Sequence, residues 1–249
     1  MITLITVTYN AIDTLERTLR SVERQTYRKV QHIIKDGGSK DGTAALAEAY
    51  RQRNPQSDII VVSERDKGLY DAMNTAISMA TGDYVCFLNA GDTLHAPDTL
   101  QRLVEALPKE GEAGVVYGDT DIVDDDGNFI RKRRLSPPER LRSGSFRNGM
   151  MVCHQAFYAN RKIIPFYDTQ YRFSADFDWC VKVMKEAEKR NLPMVNTHLV
   201  LADYLSEGMT TQNHEASLRE RFRIMVKHWG WISTLAHHAW FVIRGIMKK

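Results

Sequence analysis

Cysteine is scarce in this chain of 249 residues: there are three, Cys86, Cys153 and Cys180, an odd number with no CxxC spacing. A disulfide framework or a zinc site is therefore not expected, and a reducing compartment, the cytoplasm, fits. An excess of one charge is also missing. With 34 Lys and Arg against 31 Asp and Glu, the net charge of +3 is too small to make nucleic acid the default partner. No run of 18 apolar residues occurs, so no segment is expected to span a membrane. The first strand-like run opens at Ile2 with no basic stretch ahead of it, and no signal peptide is expected. Internal repeats and low-complexity tracts are absent. What is present is an ordinary globular composition, 43% hydrophobic and 26% charged, long enough to bury a real core.

The pattern over the first 110 residues alternates strands with helices. Residues 2–9 (ITLITVTY) read as a central strand. Asp13 is placed to cap a helix with Leu15, Leu19 and Val22 on one face. Residues 31–35 and 58–63 read as strands around a helix over 44–53. The stretch 64–92 (ERDKGLYDAMNTAISMATGDYVCFLNAGD) reads as loop, helix, turn, strand and loop, with Gly82 as a left-handed helix cap. Its apolar run 84–88 has the character of a strand buried on both faces. Pro97 suits the first turn of a helix carrying Leu100, Leu103, Val104 and Leu107. This alternation predicts an α/β fold, a mostly parallel sheet with helices on both faces. Ligands of such sheets bind beyond the C-terminal ends of the strands, which places Asn89, Ala90, Gly91 and Asp92 at a candidate site. From about 111 the pattern changes. A hairpin is expected at 114–134, a mobile loop at 136–149, a strand at 151–158, a helix from Asp176 to about 190, a strand at 194–205 and two final helices.

In this order the loops resemble glycosyltransferase family 2. The residues that carry the resemblance are Val7-Thr8-Tyr9-Asn10, then 36–43 (DGGSKDGT), then Asp66-Lys67-Gly68, then Asn89-Ala90-Gly91-Asp92, and finally Ser174-Ala175-Asp176. The resemblance covers about 2–210, is strongest through Asp98, and within the family is closest to transferases that build bacterial surface polysaccharides. It implies a GT-A fold with a nucleotide-binding half at 2–110, an acceptor half at 111–210, and a separate helical extension at 211–249. It further implies a nucleotide-sugar donor, UDP-linked by family habit, held by Thr8, Tyr9, Asn10, Asp36, Gly38, Ser39, Asp66, Lys67, Gly68, Asn89, Ala90 and Gly91. Asp176 takes the place of the catalytic base of an inverting transfer, and a carboxylate in that role must reach the acceptor hydroxyl. His154 and Gln155 take the place of a pair beside the acceptor, a glycan or lipid-linked saccharide, with Asp178 behind them. A Mg²⁺ or Mn²⁺ ion is implied at Asp92, with His154 a second candidate ligand.

The chain also departs from the family. Gly37 stands where a second acid is usual, which bears on base specificity. Asn89 and Gly91 replace both carboxylates of the Asp-x-Asp motif, and Ala175 replaces a Glu before Asp176. Magnesium often takes only one or two protein carboxylates and completes its shell with phosphate and water, so Asp92 alone remains compatible with an ion. Residues 204–210 (YLSEGMT) correspond to a Gly-rich segment near the donor phosphates. The QxxRW motif of processive synthases is absent, which implies one sugar per encounter. Two other readings stay open: a catalytically inactive nucleotide-sugar-binding subunit, suggested by Asn89 and Gly91, and a nucleotidyltransferase. The latter calls for a Gly-rich basic loop near the N-terminus, which ITVTYNA is not. In the tail, cations interleave with Trp229, Trp231, Trp240 and other large apolar residues. That composition suits peripheral attachment at the inner face of the cell membrane, packing on the domain, or a homodimer contact.

Overall fold

The computed structural model describes residues 1–206 and 214–246. Its centre is β1 (Ile2–Thr8), whose seven residues are all buried, flanked in parallel by β2 (Val30–Asp36) and β4 (Tyr84–Phe87). β3 (Asp58–Ser63) extends the parallel set beyond β2. On the other side the direction reverses: β8 (Phe157–Asn160) runs antiparallel to β4 and to β6 (Val115–Val123). β9 (Met194–Leu205) then pairs in parallel with β6, and the short β5 (Thr93–Leu94) closes that edge. β7 (Phe129–Lys132) hangs on β6 as the second arm of a hairpin. Among the described residues the order is β3-β2-β1-β4-β8-β6-β9-β5, one mixed sheet whose parallel run β3-β2-β1-β4 comes from the N-terminal part of the chain.

Helices α1 (Ile12–Glu23), α2 (Thr43–Arg53), α3 (Leu69–Met79), α4 (Thr99–Glu105) and α5 (Ala175–Lys189) cover the two faces. On one face α3 and α5 bury Met73, Ala76, Trp179, Val183 and Met184 against Ile5, Phe87 and Tyr117. On the other, α4 puts Leu100 and Leu103 against Leu4, Cys86 and Val116. Alternation along the strands explains the division, since neighbours such as Cys86 and Phe87 point to opposite faces. Two last helices follow, α6 (His214–Trp229) and α7 (Trp231–Ile246). No helix of the described residues is long and apolar enough to cross a membrane.

Several local expectations differ from the structure for tertiary reasons. Asp13 does not cap α1; the Ile12 N–H donates to Asp41 and the Ala11 N–H to Thr43, so the cap comes from the neighbouring loop. Pro97 precedes α4 rather than lying in its first turn. The segment 151–158 is a 3-10 turn, His154–Ala156, leading into a shorter strand. The expected mobile loop instead contains a 3-10 helix, Ser143–Asn148, pinned by Phe146, which is fully buried, and by Glu188, which accepts from the Ser143 N–H and hydroxyl. β5 escaped notice because two residues carry no periodicity.

Gly82 is also not the left-handed cap expected of it. Its role is close approach: a Cβ there would lie 2.6 Å from the Thr3 backbone nitrogen and 2.9 Å from the Ile2 carbonyl carbon. Backbone cannot step aside as a side-chain tip can. Gly82→Ala should therefore push β1 from the α3–β4 turn and cost about 2 kcal/mol, readable as a lower urea midpoint.

Candidate functional site

The loops at the C-terminal edge of β1, β2, β3 and β4 are tied to one another before any ligand arrives. Asp36 ends β2 fully buried. Its Oδ2 accepts from the N–H groups of Gly38 and Ser39 and from the Ser63 hydroxyl, and its Oδ1 accepts from the Ser39 hydroxyl. The carboxylate is thus engaged in shaping its own loop. Asn10, at φ 47°, donates its N–H to Ser39 Oγ and accepts from the Lys40 N–H, which locks the first loop onto the second. Below them the fully buried Lys35 ammonium donates to Asp66 Oδ2 at 2.7 Å and to the carbonyls of Asp36 and Glu64. Asp66 is fixed at the edge by that pair, while the Lys67 N–H donates to Asp71 and Gly68 opens α3 at φ 145°.

What faces outward is different in kind. Tyr9 is 66% exposed, with its ring beside Gly37, where a Cβ would sit 3.3 Å from Tyr9 Cδ2 and 3.5 Å from Asp66 Oδ2. Two buried oxygens at the same edge, Thr8 Oγ1 and Asn89 Oδ1, have no hydrogen-bond partner. Unpaired buried polar atoms are costly in a closed protein, and a water, ion or ligand at this edge would complete their shell.

The fourth loop turns tightly at Gly91, φ 97°, whose N–H donates to Thr18 Oγ1. Asp92 follows, buried, and both of its oxygens are engaged: Leu205 N–H donates to Oδ1 at 3.0 Å and Gln155 Nε2 to Oδ2 at 2.7 Å. Burial pushes this carboxyl up to about 7 despite those two donors. The residues fit a divalent cation in part. Asn89 supplies a free hard oxygen, whereas Asp92 must exchange one of its present donors to act as a ligand. His154 is not turned to Asp92; its neighbour Gln155 takes that contact. The His154 imidazole stacks on Phe87 at 4.8 Å and its Nε2 pairs with the Tyr167 hydroxyl at 2.7 Å. Burial pushes it down to about 4, so it is neutral at pH 7. Among the described residues, one group of three side chains comes within range of a common ion: His95, Asp121 and Asp203 on and beside β5, β6 and β9. It includes neither Asp92 nor His154.

Asp176 lies in the first turn of α5, partly exposed, and its Oδ1 accepts from the Tyr70 hydroxyl at 3.3 Å. Tyr70 stacks on Tyr167, and Tyr167 on Trp179. A wall of aromatic rings therefore joins Asp176 to His154, and burial raises both tyrosines well above their ordinary range, keeping them as hydroxyl donors. Asp178, fully buried, takes no part in that wall. Its Oδ1 accepts from His228 at 2.8 Å and its Oδ2 meets Lys182 at 2.6 Å. Burial alone would raise its pKa, but those partners outweigh it and hold the carboxyl below its ordinary value. Glu220 on α6 is the residue that sequence reasoning missed entirely. Its carboxylate accepts from three successive N–H groups, those of Arg172, Phe173 and Ser174, immediately before α5. Ser217 pairs with Ser174 beside it. The expected phosphate-side segment at 207–210 lies outside the described residues.

Comparison with known proteins adds the following. The model of "Glycosyl transferase family 2" matches residues 3–165. A PGL/p-HBAD biosynthesis glycosyltransferase of Mycobacterium bovis is 31% identical over 211 residues, 84% of this chain and 78% of that protein. The amylovoran biosynthesis glycosyltransferase AmsB of Erwinia amylovora is 29% identical over 209 residues, 77% and 67% of the two chains. Among solved structures, S. aureus TarS 1-349 in complex with UDP-GlcNAc superposes with a TM-score of 0.66 at 16% identity, over 90% of this chain and 64% of that one. The mannosyltransferase PcManGT from Pyrobaculum calidifontis, in complex with GDP-Man and Mn²⁺, gives 0.67 at 19% identity, over 91% and 63%. The chain thus spans under two thirds of these two structures, and at that identity the likeness is one of fold.

Two measurements probe the site as built. Because the Asp92 carboxyl is raised in the folded state, its contribution to stability is full below about pH 4, the unfolded value, and is lost as pH rises through about 7. The unfolding free energy of Asp92→Asn, measured against the parent, should therefore improve steadily across that window. Glu220→Ala strands three N–H groups and should lower stability by about 2 kcal/mol in the same urea assay.

Proposed function

The chain belongs to glycosyl transferase family 2 and has the GT-A fold, and from that premise we propose that it moves one sugar from a nucleoside-diphosphate sugar to a hydroxyl of a glycan or lipid-linked saccharide, with inversion, in surface-polysaccharide synthesis. The observation that carries this reading is the meeting at one sheet edge of unsatisfied oxygens on Thr8 and Asn89, an exposed Tyr9 ring and, in the wall of the acceptor half, the Asp176 carboxylate. The relatives' biosynthetic names and the UDP-GlcNAc and GDP-Man held by structural neighbours support a nucleotide-sugar donor.

In this reading the nucleoside stacks on Tyr9 and lies over the glycines of 36–38, where no side chain intervenes. A UDP-sugar is the donor we favour. Thr8, Asn10, Gly38, Ser39, Asp66, Lys67, Gly68, Ala90 and Gly91 line its path to the fourth loop. Asn89 and Asp92 hold Mg²⁺ or Mn²⁺, which when bound stabilises the charge that develops on the leaving diphosphate. Asp176 accepts the proton of the attacking hydroxyl, so a single displacement inverts the anomeric carbon and no covalent intermediate forms. Tyr70 steadies Asp176 by donating to its Oδ1. His154 and Gln155 floor the acceptor side, the first as a neutral packed ring, the second through Asp92. Asp178 holds α5 from behind.

Asp176→Asn tests the assignment. Transfer should fall by roughly 10²- to 10⁴-fold, while donor affinity by calorimetry stays within threefold of the parent. Turnover close to that of the parent would remove Asp176 from the reaction. Absence of donor hydrolysis by the parent, with and without Mn²⁺, would favour a binding subunit instead.

A further inference from the structure

Helix α7 is inside out. Its polar residues turn inward: Thr234 is 1% exposed and donates to the Gly230 carbonyl, and His238 packs its ring on Phe222. The outward residues are Trp231, Ile232, Leu235, Ala236, Ala239 and Trp240, which recur at i, i+1, i+4, i+5, i+8 and i+9, one face of a helix. Their exposure is large where it matters, 88% for Ile232 and 63% for Trp231. No Asp, Glu, Lys or Arg occurs between Trp231 and Trp240. An exposed apolar stripe of this regularity on a helix marks an interaction surface.

The surroundings of that stripe are positively charged. At the corner between α6 and α7, Lys185 donates to the His228 carbonyl at 3.1 Å. Lys185 belongs to a cleft of about 490 Å³ beside α5, lined also by Lys162, Lys182, Lys189 and Arg190, with Glu186 the one acid in its lining. Lys162 and Lys182 pair with Glu112 and Asp178, and Lys189 and Arg190 share Glu186 at 3.8 and 2.7 Å while keeping 78% and 49% of their side chains exposed. In sequence, residues 214–249 carry seven Lys or Arg against two Glu, while the remainder of the chain has more acids than bases. In sequence the apolar stripe is thus flanked by cations on both sides, four before Trp231 and three after Trp240.

We propose that α7 lies in the interface of an anionic phospholipid bilayer, with its two indoles at headgroup depth and the α5 cleft turned to the lipid phosphates. Indoles prefer that depth, and amphipathic helices with nearby cations bind there reversibly. A second copy of the chain is the weaker occupant. The six outward side chains described for α7 fall well short of the roughly 20–30 residues a side of a standard protein interface, and like-charged surroundings would oppose each other across it. Attachment of this kind would set where the protein sits and takes no part in the transfer reaction.

The test is sedimentation of the full chain with vesicles of phosphatidylglycerol and phosphatidylcholine, against phosphatidylcholine alone, at low and high salt. Binding should require the anionic lipid and weaken with salt. The double variant Ile232→Glu, Leu235→Glu should bind more than about tenfold more weakly, with its circular dichroism and donor affinity unchanged. Lys189→Glu should cost about fivefold or more. Failure of the full chain to sediment with anionic vesicles overturns the proposal, as does a double variant that binds like the parent. A dimer that the double variant converts to monomer, with no vesicle binding, assigns the stripe to a second copy.

Discussion

Asp92 closes the loop after β4, yet its two oxygens are bound by residues 63 and 113 positions further along the chain, Gln155 and Leu205. That buried carboxyl is where the parallel half of the sheet, the turn ahead of β8 and the end of β9 are held together. Removing a carboxylate from water with only two donors in exchange is unfavourable, and the group responds by holding its proton to about pH 7. The tie is therefore firm in acid and weaker in base. A protein that needed only a clamp would use an amide or a fully paired ion. A carboxyl titrating near neutrality is instead responsive to charge brought beside it, and the strand ends around it are where charged ligands of this fold class arrive.

The other acids of the edge are arranged oppositely. Asp36, Asp66 and Asp178 are each enclosed by donors belonging to the protein: backbone N–H groups and hydroxyls for the first, the Lys35 ammonium for the second, His228 and Lys182 for the third. They set loop shapes and helix positions. The groups at this edge that are left exposed or unpaired are less obvious ones: the Tyr9 ring, the hydroxyl of Thr8 and the carboxamide oxygen of Asn89. Such a division leaves little reorganisation to be done on binding, because the loops are already fixed.

The first 110 residues were legible because their information is local. Apolar runs such as 84–88 and turn clusters such as 36–42 declare strand and loop within a few positions, and the strand-end motifs then fall at one edge through topology alone. The chain beyond residue 110 was less so. Its 3-10 helix over Ser143–Asn148 is ordered by Glu188, 45 residues away, and the turn at His154 by Tyr167 and Phe87. The start of a helix at Asp176 could be read from the sequence. The Tyr70 hydroxyl that touches it, 106 residues earlier, could not. Nor could the inward use of Asp36, since a carboxylate beside glycines reads equally as a ligand group and as a turn former.

The contact between Glu220 and the loop before α5 has a consequence in time. The N–H groups of Arg172, Phe173 and Ser174 wait for an acceptor that is translated 46 to 48 residues later. Until α6 has been made, the start of α5 lacks the carboxylate that orders it. The Asp176 wall therefore reaches its final form only once α6 is in place.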